Sequence, residues 1–380
     1  MITSTDTTSG NHNHPLRSWA VTTVHHALPV PAEGVARRFG RANVVALLRA
    51  ASGEDEMKAM TRTVYGSAEV LTFGDVRTPV PADDDVLIRV HAAGVGPEVW
   101  HLMTGLPYLV RIMGFGLRKP KNPILGTDVA GVVESVGRNV TQLRPGDDVF
   151  GTCDGSLAEY ACARADKLAP KPVGLTYEQA AALPTSGCTA LQGLRDVGRI
   201  EAGQSVLIIG ASGGVGTFAI QLAKAFGAEV TGVCRANAIE LVRSLGVDHV
   251  IDYTREDFTA GPRGYDLILD TAGRRPLRQL RRVLAPRGTL VIVGGEGGGK
   301  WTGGFERQIL RATLLSVVVP QRLRPLTSTA RRDDLVTLSE LADAGSLTPV
   351  IGKTCALSEA ATALSDADEG HGRGKMVVIL

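Results

Sequence analysis

Three glycines at three-residue spacing, Gly210, Gly213 and Gly216, follow the apolar run SVLIIG (205–210) and open the amphipathic stretch VGTFAIQLAKAFG. A buried strand that turns at once into a helix calls for glycine, because a residue without Cβ can turn tightly and let another backbone or a ligand approach closely. The spacing is a variant of the dinucleotide fingerprint. A helix beginning near Gly214 and Val215 offers free N–H groups and a positive dipole end to a pyrophosphate. Gly210, Ser212, Gly213, Gly214, Val215 and Gly216 are therefore the candidate cofactor-binding residues of this turn.

The surrounding pattern supports that reading. Beyond Tyr177, strand-like runs alternate with helical ones: SVLIIG, AEVTGVC (228–234), DHVIDY (248–253), YDLILDT (265–271) and TLVIVGG (289–295). Between them lie VGTFAIQLAKAFG, ANAIELVRSLG and RRPLRQLRRVLAPRG, each ending at glycine. Such alternation implies an α/β fold, a parallel sheet with helices on both faces. Before it, KAMTRTVYG, DDDVLIRVHAAGV, GVVESVG and DVFGT read as short strands between Gly, Pro and Asp turns, a mostly β region. A last apolar strand, KMVVIL (375–380), is expected to return to that first region. The expected division is an extension over 1–56, disordered by composition, a mostly β domain over 57–182 completed by about 346–380, and a Rossmann domain over 183–345.

Cofactor choice is made at the end of the second strand. A carboxylate there would hold a ribose 2′-hydroxyl and repel a 2′-phosphate. This chain has Cys234-Arg235-Ala236-Asn237. A guanidinium suits a phosphate through a charge-assisted, bidentate pair, which points to NADPH. Tyr253, closing the next strand, joins Arg235 in the candidate set.

Bulk properties exclude several other classes. The formal net charge of the 380 residues is only +2, too small to argue for nucleic acid, and Arg274-Arg275 and Arg281-Arg282 read as solvated helix faces. No apolar stretch reaches the roughly 18 residues that span a bilayer, and the N-terminus lacks a secretion pattern. Cys153, Cys162, Cys188, Cys234 and Cys355 form no C-x-x-C pair, which fits free thiols in a reducing, cytoplasmic setting. The tail's His12, His14, His25 and His26 lack the rigid scaffold a metal site needs. Within 34–51, GVARRFGRANVVALLRA reads as a short amphipathic helix; an organelle-targeting role and a bland extension both stay open.

With LPTSGCTALQGL (183–194) and LGVDHVIDY (245–253), these motifs resemble the medium-chain dehydrogenase/reductase superfamily, above all its zinc-free quinone oxidoreductase branch. The resemblance runs from about Met57 to Leu380. It implies that the mostly β domain is GroES-like and catalytic, with the active site in the cleft beside the Rossmann domain. Positions that carry catalytic zinc ligands elsewhere in the superfamily are here Gly96, Thr127 and Thr185, so no metal is expected. The branch's N-P-x-D-like stretch reads Gly96-Pro97-Glu98-Val99, without a polar side chain at Gly96. His101 falls where some relatives carry a pocket tyrosine, and Tyr108 lies one residue beyond a second tyrosine position; both are the catalytic candidates, as acid or hydrogen-bond donor. In GLPYLVRIMGFGLRKPKNP (105–123), Leu106, Tyr108, Ile112 and Phe115 either favour a flat apolar substrate in the cleft or are buried within the loop itself.

The leading expectation is an NADPH-dependent reductase of small apolar quinones or α,β-unsaturated carbonyl compounds. A non-catalytic NADPH-binding protein, favoured by Gly96, and an NADP-dependent alcohol dehydrogenase are the alternatives. Homodimerisation is left open.

Overall fold

The computed structural model describes residues 56–261, 264–294, 303–316, 318–367 and 373–380. Apart from Glu56, the extension over 1–56, with its histidines and its expected helix, lies outside the described residues.

An antiparallel hairpin opens the described chain, β1 (Glu56–Thr61) against β2 (Thr72–Arg77). There follow β3 (Asp85–Val95), β4 (Asp128–Val136), β5 (Asp148–Thr152), β6 (Tyr160–Arg164) and β7 (Leu168–Pro170). The apolar run in DDDVLIRVHAAGV makes β3 the centre of this antiparallel sheet, where Val86, Ile88, Ala92 and Ala93 are fully buried. Helix α1 (Pro97–Thr104) leaves the end of β3; Pro97 at its first position has no N–H to lose and a preset φ. Helix α2 (Tyr177–Ala181) starts from a capping box, in which Thr176 and Gln179 satisfy each other's backbone amides. It leads into α3 (Pro184–Gln192).

The parallel sheet comprises β8 (Ser205–Ile209), β9 (Glu229–Cys234), β10 (His249–Asp252), β11 (Tyr265–Asp270), β12 (Leu284–Ile292) and β13 (Arg322–Pro325). Its order is β10-β9-β8-β11-β12-β13, all parallel, the doubly wound Rossmann arrangement whose direction reverses between β8 and β11. Around it lie α4 (Gly214–Ala225), α5 (Ile239–Ser244), α6 (Leu277–Val283), α7 (Gly303–Ser316) and α8 (Arg332–Asp343). Then come β14 (Ile351–Ala356), α9 (Ala360–Ala367) and β15 (Lys375–Ile379). Strand β15 pairs antiparallel with β3 and parallel with β14, extending the first sheet.

One core is continuous across both sheets. It joins Phe150 and Val377 to Leu191 and Leu194, to Phe218 and Leu222 of α4, and to Leu335 and Leu338 of α8. Each such side chain contributes about 1.5–3 kcal/mol on burial, so the two sheets are held together by the same term that folds each of them.

Two elements differ from the pattern read in the sequence. The helix expected through Gly288 ends at Val283, and strand β12 begins at Leu284. Pro286 disfavours helical geometry at Ala285 and cannot donate to the preceding turn. The sixth strand, β13, has no apolar run because it is an edge strand: Leu323 is buried, while Arg322 and Arg324 face solvent.

Candidate active site

The glycine turn leaves the carboxyl end of β8 at the switch between β8 and β11, where ligands of such sheets bind. The three glycines serve different ends. Gly210 has φ +84°, a backbone most side chains resist, and a Cβ there would meet Thr271 Oγ1 at 2.4 Å. A Cβ on Gly216 would sit 2.1 Å from the Gly210 carbonyl oxygen and 2.8 Å from Ala211 Cα, so this glycine closes the turn on itself. Gly213 caps α4 and has room, with only the Gly210 oxygen at 3.4 Å. Val215 lies in the first turn, half-buried against the core, leaving the amides of Gly214 and Val215 at the helix start. The loop thus fits a pyrophosphate, and the chain's own residues form the cradle. A cleft of about 450 Å³, lined by Ser205, Glu229, His249 and Tyr265, opens at the amino ends of the same strands. It lies at the wrong end of the sheet for this cofactor.

Arg235, just beyond β9, and Tyr253, just beyond β10, meet across the strand ends: Arg235 Nε donates to the Tyr253 hydroxyl. Asp252, the last residue of β10, is 6% exposed, and its Oδ1 is taken by Thr254 N at 3.0 Å and Thr254 Oγ1 at 2.7 Å. That oxygen serves its own turn, and Arg235 stands half-buried beside the exposed Tyr253 at this rim.

A buried charge cluster, which the sequence pattern did not reveal, adjoins the glycine turn. Lys375 Nζ lies 3.2 Å from Glu98 Oε1 and 3.1 Å from Asp128 Oδ2. Thr185 donates from its hydroxyl and, at 3.2 Å, from its amide to Asp128 Oδ1. Lys375 and Asp128 are 3% and 0% exposed. Burial pushes the Asp128 carboxyl up to about 6; Lys375 works against this and Glu98 adds to it. Burial would lower Lys375, yet its two carboxylates outweigh this and hold the ammonium charged. The cluster also touches the loop. A Cβ on Gly214 would lie 3.1 Å from Ser186 Oγ and 3.6 Å from Lys375 Cδ, and Gly374 N donates to Ser212 O at 2.8 Å.

Gly96, Thr127 and Thr185, the positions the resemblance matches to zinc ligands, lie within or one or two residues from this cluster. Thr185 is committed to Asp128, and Thr127 Oγ1 is buried without a partner. A Cβ on Gly96 would strike Glu98 Oε2 at 2.3 Å. The space a side chain at Gly96 would enter is filled by the Glu98 carboxylate, two residues on. A lysine ammonium between two carboxylates is no set of metal donors, and among the described residues no three His, Cys, Asp or Glu side chains converge on one point. The residues do not fit a catalytic zinc.

His101 lies in the last turn of α1, and Tyr108 opens a short helical turn, Tyr108–Val110, beyond it; both are half-buried. His101 Nδ1 contacts the Leu106 carbonyl at 2.7 Å, so the neutral ring keeps its proton there and offers one from Nε2 only as imidazolium. It stands three residues after Glu98, about 4.5 Å along the helix and on the same face. Tyr108 stacks against the Arg111 guanidinium, 4.7 Å from its ring centre. Of the loop's apolar residues, Leu106 is half-buried, whereas Ile112 and Phe115 are 68% and 43% exposed; the loop does not bury them.

Asp270, at the end of β11, orders the turn facing the glycine loop. Its Oδ1 accepts from Ala272 N at 3.2 Å and Gly273 N at 2.9 Å, while Oδ2 is buried without a partner. Burial pushes this carboxyl up to about 6, against those two amides. A raised carboxyl binds its proton more tightly folded than unfolded. Its contribution is therefore greatest in acid and is lost as pH rises from about 4 through about 6. Two units correspond to about 3 kcal/mol. Asp270→Asn keeps the acceptor and is expected to flatten that decline, read from urea midpoints across this range. An unchanged slope in the variant would assign the decline to other groups.

Comparison with known proteins matches this architecture. Residues 82–173 fit the alcohol dehydrogenase GroES-like domain and residues 245–378 the family described as zinc-binding dehydrogenase. The mitochondrial NAD(P)H oxidoreductase RTN4IP1 of Mus musculus is 33% identical over 371 residues, covering 85% of this chain and 89% of that protein. The 2-methylene-furan-3-one reductase of Solanum lycopersicum is 37% identical over 254 residues, covering 63% of each chain. The structure of the quinone oxidoreductase from Coxiella burnetii superposes with a TM-score of 0.75 at 31% identity, covering 86% of this chain and 99% of that one. With a Rossmann sheet, a GroES-like sheet and a glycine cradle between them, the chain belongs to the medium-chain dehydrogenase/reductase superfamily, in its quinone-oxidoreductase-like branch, and is an NAD(P)-dependent oxidoreductase.

Proposed function

We propose that the protein is an NADPH-dependent, zinc-independent reductase of small apolar quinones or α,β-unsaturated carbonyl compounds. The observation that carries this reading is the Arg235–Tyr253 pair at the ends of β9 and β10, with no carboxylate at the end of β9 and the Asp252 carboxylate that ends β10 buried and turned to Thr254. The named activities of the quinone and enone reductase relatives support the substrate class. We take the catalytic domain as 57–182 closed by 346–380, and the cofactor domain as 183–345. The free cysteines fit a cytoplasmic setting.

When bound, the reduced nicotinamide supplies the hydride. The protein's part is to hold, align and exclude water. The amides around Gly213, Gly214 and Val215 hold the pyrophosphate, and Arg235 with the Tyr253 hydroxyl grips the 2′-phosphate. Lys375 positions the turn from behind through Glu98, Asp128 and the Gly374–Ser212 bond. His101, as imidazolium through Nε2, delivers the proton to an enolate, and Tyr108 donates a hydrogen bond to the developing oxyanion. Quinols take protons from water, so quinone reduction needs neither side chain.

The test is the fall in reduced-nicotinamide absorbance over a panel of quinones, enones and enoyl thioesters, with NADPH and NADH compared. Arg235→Ala is expected to weaken NADPH by about tenfold or more, the value of a lost charge-assisted contact, and to leave NADH nearly unchanged. Equal loss for both cofactors, or no turnover anywhere on the panel, refutes the reading.

A further inference from the structure

The loop that follows α1 presents an apolar crown to solvent. Ile112, Met113, Phe115 and Leu117 are 68%, 66%, 43% and 67% exposed. Clustered large apolar side chains in water are rare on a monomer's surface and mark a binding face. The crown is a built shape, fixed at its base. Tyr65 donates its hydroxyl to the carbonyls of Phe115 at 2.9 Å and Gly116 at 2.7 Å. Arg111 lies between the rings of Tyr65 and Tyr108, and its Nε and Nη2 donate to the carbonyls of Gly105 and Thr104. Gly116, with φ +112°, brings the chain back: Lys121 N donates to Phe115 O at 3.0 Å, and a Cβ on Gly116 would strike Lys119 O at 2.1 Å.

The same turn carries the charge. Arg118, Lys119 and Lys121 are exposed directly beside the crown, and the segment 105–123 contains no Asp or Glu. An apolar tip rimmed by cations alone complements a surface with an oily interior and negative headgroups. A second copy of this face would set the two basic rims against each other, which argues against self-association through it.

We propose that this loop docks the protein onto an anionic lipid bilayer, with Met113 and Leu117 among the side chains entering the headgroup region and Arg118, Lys119 and Lys121 pairing with lipid phosphates. The proposal does not depend on the substrate or on the cofactor chosen, and it concerns peripheral contact rather than a membrane span. It is tested by sedimenting the full chain with vesicles of phosphatidylcholine mixed with phosphatidylglycerol, and with phosphatidylcholine alone. Binding to the mixed vesicles is expected, weaker on the neutral ones and weakened by salt. Attraction per basic residue near such a surface is worth roughly fivefold, so Arg118→Glu/Lys119→Glu/Lys121→Glu is expected to lower partitioning by more than about tenfold. Met113→Ser/Leu117→Ser is expected to lower it on both vesicle types. Both variants change only exposed side chains, and an unaltered melting temperature confirms that the fold is retained. No sedimentation with either vesicle, or sedimentation indifferent to both variants, overturns the proposal. So does a dimer dissolved by Met113→Ser/Leu117→Ser in a chain that ignores vesicles, since the crown would then be covered by a second copy.

Discussion

Gly216→Ala is expected to abolish dinucleotide binding and destabilise the chain by about 3 kcal/mol, whereas Gly213→Ala leaves the fold intact. The added atom is the same methyl in both. At position 216 it would lie 2.1 Å from the Gly210 oxygen and 2.8 Å from Ala211 Cα, and both are backbone atoms of a turn fixed between β8 and α4. Backbone cannot rotate away as a side-chain tip can, so the turn must open, at the upper end of what overpacking costs. Opening it disperses the amides that face the pyrophosphate. At position 213 the methyl meets only one oxygen at 3.4 Å, an ordinary contact. Melting temperature and cofactor titration by fluorescence distinguish the two. Equal stability and affinity in both variants would mean that the turn is not held by the close approach of Gly216 to Gly210.

Lys375→Met is expected to cost about 3–5 kcal/mol, the usual loss when one partner of a buried ion pair is removed. Methionine nearly preserves the aliphatic length, so the loss reports charge rather than a cavity. What remains is Asp128, fully buried, beside the Glu98 carboxylate and with only Thr185 as donor. The sign of the pH dependence follows. Asp128 already stands near 6 with the lysine present, because burial and Glu98 outweigh it. Without the ammonium its folded value rises further. The variant is then closest to the parent in acid, where Asp128 is neutral, and falls behind as pH rises. Adding Asp128→Asn to Lys375→Met is expected to restore part of the loss, since the stranded charge disappears. Urea unfolding at acidic and at neutral pH measures this. A loss below about 1 kcal/mol at neutral pH, or one independent of pH, would show that the cluster is not held by its ion pairs. Because Gly374 N bonds Ser212 O and Lys375 lies against Gly214, cofactor affinity is expected to fall as well.

The contact between the Arg235 and Tyr253 side chains was not legible in the amino-acid sequence, but the glycine turn, the strands around it and the placing of those two residues at strand ends were. Their requirements are local: a missing Cβ, a period of alternation, a residue type at a strand end. The helix end at Val283 is written in the sequence too, in Pro286, which outweighs the glycine beyond it. The edge strand β13 is not, since a strand with one buried residue in four carries no periodic signal.

The cluster at the base of the site depended on the fold alone. Lys375 and Glu98 are 277 residues apart, and nothing in KMVVIL says that its first residue will be buried between two carboxylates. That follows only once β15 has paired with β3 and its leading end has met the glycine turn. Likewise, the sequence left open whether the apolar residues of 105–123 line a cleft or fold inward. Tyr65, forty residues or more upstream, fixes the loop so that Ile112, Met113 and Phe115 face solvent. Chemistry that rests on backbone geometry is written in neighbouring residues, whereas the burial of a charge or the exposure of an apolar side chain is set by whichever distant segment packs beside it.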